Sequence, residues 1–147
     1  TGWRIGYGVF PTDLVEPIAR LVTNSVSCTA GFTQMAAIEA ITGSQSEPNN
    51  MVQEFKKRRD IIVNGLNNIP GIKCALPKGA FYAFPNITGT GLTSSDFANK
   101  ILEEAGVAVL AGESFGKFGS GYIRISFANS TENLVEAISR IKTFLNS

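Results

Sequence analysis

Two arginines stand where a guanidinium has little reason to be unless it meets an anion. Arg4 lies in the opening stretch Thr1-Gly2-Trp3-Arg4-Ile5-Gly6-Tyr7-Gly8. A period of two predicts a buried strand there, with Trp3, Ile5 and Tyr7 on one side and Arg4, Gly6 and Gly8 on the other. Glycine weakens a strand and marks places where a ligand or another backbone comes close. A cation beside that open space suits a phosphate, although a sheet-edge strand with a solvated arginine has the same spacing. Arg124 lies in Gly121-Tyr122-Ile123-Arg124-Ile125-Ser126, where alternation makes Ile123, Ile125 and Phe127 the core face and sets Tyr122, Arg124 and Ser126 opposite. If water covers that second face, Arg124 is a surface residue. If another layer covers it, a buried unpaired guanidinium is costly and needs an anion. Its paired donors match the two oxygens of a carboxylate.

Other chemistries are excluded by composition. The sequence has no histidine, so it holds no Ser-His-Asp triad, Cys-His dyad or histidine-based metal site. Cys28 and Cys74 are too far apart in sequence for a metal-ligand spacing or a disulfide framework, and read as reduced thiols of a cytosolic protein. A formal net charge of +1 gives no broad field for nucleic acid or an anionic membrane. No apolar run approaches the roughly 18 residues that suggest a membrane span, and no signal peptide is evident. The Lys56-Lys57-Arg58-Arg59 run adjoins Asp60 and reads as a solvated helix face rather than an anion patch. The glycine-rich 111–121 stretch, with Phe115 and Phe118, matches no phosphate-loop or dinucleotide pattern.

The elements around the two arginines follow from periodicity and punctuation. After Phe10-Pro11, Thr12-Asp13 caps a helix carrying Leu14, Val15, Ile18, Leu21 and Val22. A small polar loop at 24–29 leads to a second, well-buried helix with Phe32, Met35, Ala36, Ile38, Ala40 and Ile41, ended by Gly43 in the left-handed conformation. Ser46-Glu47-Pro48 starts a long helix over about 48–68. Beyond Pro70-Gly71 the character changes: strands are expected at 72–76, 80–84, 107–110 and 122–127. Ser94 or Ser95 caps an intervening helix that Gly106 stops, and Ser130-Thr131 opens the last helix. With 147 residues, 44% hydrophobic and 17% charged, the chain can bury a real core.

Three stretches in order resemble the fold-type I aminotransferases that use pyridoxal 5'-phosphate (PLP), the aspartate aminotransferase family of class I/II. These are Thr1-Gly2-Trp3-Arg4-Ile5-Gly6-Tyr7, Pro77-Lys78-Gly79-Ala80-Phe81-Tyr82 and Gly121-Tyr122-Ile123-Arg124-Ile125-Ser126. The resemblance implies that Arg4 binds the cofactor phosphate and Arg124 the substrate α-carboxylate. It implies no catalytic residue in this chain, because the family's lysine lies about eight residues before that arginine, ahead of Thr1. The chain is thus expected to be the C-terminal piece of a longer cytoplasmic homodimer, inactive alone.

The implied fold is α/β and α+β: residues 1–60 as the tail of the large PLP-binding domain, residues 61–147 as the small C-terminal domain. The 24–29 loop would lie near the dimer interface. The implied reaction moves an amino group between an amino acid, such as aspartate or an aromatic one, and a 2-oxo acid. No arginine lies between Val22 and Glu54 to clamp a second carboxylate, which weighs against aspartate. A lyase or synthase of the same fold, or a non-catalytic small-molecule-binding α+β module, shares these residues. Phe81 and Tyr82 read as sheet core.

Overall fold

A computed structural model of the chain describes residues 2–146. It divides into two compact units, one reaching to Asn49 and the other starting at Asn50. Each is taken by itself.

The first unit holds helix α1, Thr12–Val26, helix α2, Gly31–Thr42, and the start of helix α3, Ser46–Asn67. The expected opening strand does not form: residues 4–10 carry no strand pairing and are exposed, and Thr1 lies outside the described residues. A strand needs a hydrogen-bonding neighbour, and this stretch has none among the described residues. Arg4 also sits at φ 54°, which breaks the extended alternation that period-two reasoning assumes. The apolar stripe of α1 is present, yet the helix buries no residue, and α2 buries only Thr33. The expectation of a well-buried second helix is therefore wrong for this chain: Phe32, Met35, Ile38 and Ile41 lie exposed because no described layer covers them. The caps differ as well. Pro11 precedes α1 without a side-chain cap, since Thr12 is already helical. Gly43 is extended rather than left-handed, although its N–H still closes on the Glu39 carbonyl.

The second unit carries the hydrophobic core. Strands β1 (Tyr82–Ala83), β2 (Leu110–Ala111) and β3 (Ile123–Ser126) form an antiparallel sheet in the order β1-β3-β2. Helices α4, Ser94–Ala105, and α5, Thr131–Leu145, complete it with the latter part of α3. Ile62, Leu66, Phe97, Ile101, Ile123, Phe127 and Ile141 are all buried in one cluster. The last helix starts where expected, with Ser130 Oγ accepting the Asn133 N–H, and Gly106 stops α4 at φ 66°. The cap of α4 is Thr93, one residue ahead of expectation; Ser94 is instead buried, where its Oγ accepts the Gly121 N–H.

The strands are shorter than alternation predicts, for local reasons. Over 72–76 only a bridge between Lys73 and Asn86 remains. The Asn67 side chain takes both backbone groups of Cys74, donating to its carbonyl at 2.9 Å and accepting its N–H at 2.8 Å, so a side-chain amide stands where a neighbouring strand would. β1 is confined between Ala80, at φ 57°, and Pro85, which has no N–H to give.

Candidate functional site

Each arginine has its own surroundings. In the first unit a cavity of about 850 Å³ is lined by Trp3, Arg4, Ile5, Gly6, Cys28, Thr29, Phe32 and Thr33, among others. Trp3 meets Phe32 edge-on at 6.1 Å, which ties the opening stretch to α2. The Gln34 side chain donates to the Thr29 carbonyl at 2.8 Å and steadies the loop beneath. The first turn of α2 opens on this cavity, and the helix has no side-chain cap there. Uncapped N–H groups and the positive end of a helix favour an anion. Arg4 adds a full charge, Thr29 and Thr33 add hydroxyls, and Gly6 leaves open space where a Cβ would meet nothing within 4 Å. That donor set suits a phosphate group. The strand logic that first drew attention to Arg4 fails, but the residue still borders an anion-suited cavity.

In the second unit the alternation on β3 holds: Ile123, Ile125 and Phe127 are buried, whereas Arg124 is half-buried on the other face. The register places Leu110 opposite Arg124 and Tyr82 opposite Ser126. The guanidinium carbon lies 4.4 Å from the centroid of the Tyr82 ring and 4.4 Å from that of Phe115. Phe115 ends a short 3-10 turn, Gly112–Phe115, that follows β2 directly. Tyr82 stands on β1 and Phe115 just beyond β2, so the two rings are delivered by the strands that flank β3. Phe84 stacks on Tyr122 at 5.5 Å and meets Phe115 edge-on at 6.0 Å, so the rings brace one another. The Arg124 side chain makes no hydrogen bond or salt bridge among the described residues, so its N–H donors lie beside the two rings yet remain available.

Sequence reasoning missed Tyr82 and Phe115. Tyr82 was expected in the core, yet it and Phe81 are more than a third exposed, and Tyr82 lies on the guanidinium. The signal that could have found it is alternation on β1 combined with the β1–β3 register, and register is not local information. The basic run on α3 is a solvated face only at Lys56 and Lys57; Arg58 and Arg59 are partly buried, Arg58 pairing with Glu54 at 2.9 Å and lying near the Phe55 ring, and Arg59 pairing with Asp60 at 2.8 Å. Among the described residues there is no group of three His, Cys, Asp or Glu able to hold a metal. No helix among the described residues is long and apolar enough to cross a membrane.

The chain matches the family described as aminotransferase class I and II over residues 1–141. It belongs to that family. It is 45% identical over 147 residues to an aspartate aminotransferase of Pyrococcus horikoshii, and 41% identical over 145 residues to a probable N-acetyl-LL-diaminopimelate aminotransferase of Bacillus subtilis. Those alignments cover 99% of this chain but only 38% and 37% of the relatives. Among solved structures, the aromatic aminotransferase of Pyrococcus horikoshii superposes with a TM-score of 0.92 at 40% identity, covering 99% of this chain and 39% of that one. The aspartate aminotransferase of Rhizobium meliloti gives 0.91 at 37% identity, with coverages of 99% and 38%. The chain thus spans well under half the length of the family members it matches.

Proposed function

We propose that this chain serves within a PLP-dependent aminotransferase that moves an amino group between an amino acid, aspartate or an aromatic one, and a 2-oxo acid. The observation that carries the reading is the guanidinium of Arg124, in contact with two aromatic rings and with its side-chain donors unpaired among the described residues. In that arrangement Arg124 grips the substrate α-carboxylate through both oxygens. Arg4, with the N-terminal turn of α2, holds the cofactor phosphate. When bound, PLP supplies the electron sink that weakens bonds at the substrate α-carbon. The catalytic lysine is supplied from outside this chain, ahead of Thr1. Residues 1–60 then serve the large cofactor domain and residues 61–147 the small domain, with α3 running through the boundary.

The working form is a cytoplasmic homodimer. Two unpaired cysteines support the compartment, and the exposed apolar faces of α1 and α2 support further protein packed against them. Relatives named for aspartate and for aromatic amino acids support the two substrate classes.

The test is Arg124→Leu in the full-length enzyme. A charge-assisted contact of about 1.5–3 kcal/mol corresponds to a loss of roughly 10- to 150-fold in kcat/KM, with the bound-cofactor absorbance retained. Arg4→Leu should instead release PLP on dialysis. Unchanged kinetics in the Arg124 variant would remove the basis of the proposal. Product analysis covers the lyase or synthase alternative, because only transamination needs an amino acceptor and returns a 2-oxo acid.

A further inference from the structure

We propose that Tyr82 and Phe115 are positioning residues that fix Arg124 so that it offers its in-plane N–H edge, and not its faces, to a carboxylate. The inference rests on the reading of Arg124 as the carboxylate grip and adds the means by which that grip is ordered before substrate arrives.

An arginine side chain has many rotamers, and ordering them at the moment of binding weakens affinity. Hydrogen-bond acceptors could order it beforehand, but they would occupy the donors the substrate needs. Aromatic faces avoid that conflict. A ring attracts the cation through its π cloud and leaves the N–H edge untouched. The guanidinium carbon of Arg124 is 4.4 Å from each of two ring centroids, one carried by β1 and the other by the turn that follows β2. Neither ring is loose. Tyr82 packs on Phe81 at 4.5 Å, and Phe115 is braced by Phe84 at 6.0 Å. Phe115 is 48% exposed, and Tyr82 lies at the surface as well, so core packing does not account for either.

The readout is the split between KM and kcat in the full-length holoenzyme. Aspartate and phenylalanine are both tried, and the one turned over faster is used. Binding is measured independently by calorimetry with succinate or 3-phenylpropionate, carboxylates of matching skeleton that have no amino group. Phe115→Leu and Tyr82→Leu should each raise KM and the Kd of the carboxylate by about five- to tenfold. In both, kcat should stay within about twofold and the cofactor absorbance should be unchanged. Phe115→Tyr and Tyr82→Phe keep a ring face and should return both constants to the wild-type range. Phe115→Met, also without a ring face, replaces the leucine variant should that one fail to fold. The proposal is overturned if the ringless variants bind the carboxylate as wild type does while Arg124→Leu does not. If Arg124→Leu itself binds normally, the α-carboxylate assignment falls first, and this inference falls with it.

Discussion

A side chain's neighbours along the chain and its neighbours across the sheet carry different information, and Arg124 shows both. Its face on β3 was legible because Ile123, Ile125 and Phe127 alternate with it within one strand. Its partners were not legible, because Tyr82 and Phe115 reach it only through the β1–β3–β2 order. The turn that delivers Phe115 depends in turn on two glycines. A Cβ on Gly112 would stand 2.1 Å from the Gly119 carbonyl oxygen and 2.6 Å from that of Tyr122, both backbone atoms that cannot swing aside. Gly112→Ala must therefore shift the loop. Overpacking of this kind costs about 1–3 kcal/mol. The expected result is a lower melting temperature together with weaker carboxylate binding, since Phe115 moves with the turn. A variant that melts and binds like wild type would show that the turn can open without strain.

Among elements, helices were read well and strands poorly. The 3.6-residue stripe of Leu134, Ile138, Ile141 and Leu145 needs only the helix itself to be recognised, and α5 runs where it predicts. The stretch Trp3-Arg4-Ile5-Gly6-Tyr7 has a strand pattern but no described partner strand, so the pattern has nothing to act on. In the region 72–76 the Asn67 side chain occupies the edge opposite the Lys73–Asn86 bridge, taking the Cys74 backbone groups where a further strand would pair, which alternation cannot announce.

Helix ends offer the sharper tests. Thr93 Oγ1 accepts the Asp96 N–H at 3.1 Å and donates to the Asp96 carboxylate at 2.7 Å. Thr93→Ala should cost about 1 kcal/mol, read as a melting shift of about 4–8 °C for a unit of this size. At α5, the Glu132 carboxyl is held below its ordinary value of 4.5 by its own backbone N–H, then by the Ser130 hydroxyl, with a smaller pull from Arg58. The unfolded chain binds that proton more readily, so the stabilisation is present above pH 4.5 and is lost as the pH falls through the folded value. Ser130→Ala should weaken the helix at neutral pH and also flatten the loss of stability on acidification. Denaturant midpoints of the two proteins at pH 7 and pH 3.5 would show this; an equal drop in both would rule out the Ser130–Glu132 link.

On the scale of the whole molecule, burial is uneven. Every buried hydrophobic residue described lies between Ile62 and Ile141, whereas α1 buries none of its residues and α2 only Thr33. Amide protection follows buried contacts, so the two units should exchange on different scales. In the 147-residue chain, amides of α1 and α2 should exchange close to the fraying limit. Those of β3, α4 and α5 should exchange only on global opening of their unit. Phe97, fully buried within that core, provides the handle: Phe97→Ala should cost about 3–5 kcal/mol. That loss should accelerate exchange in β3, α4 and α5 together while leaving α1 and α2 as they were. Hydrogen exchange read by mass spectrometry distinguishes the alternatives. If α1 and α2 were protected as strongly as α5, and lost that protection in the same variant, the core of the second unit would have to sustain them too. The apolar stripe of α1 and the apolar surface of α2 would then need no further protein to cover them, and the argument from them to a larger assembly would fail.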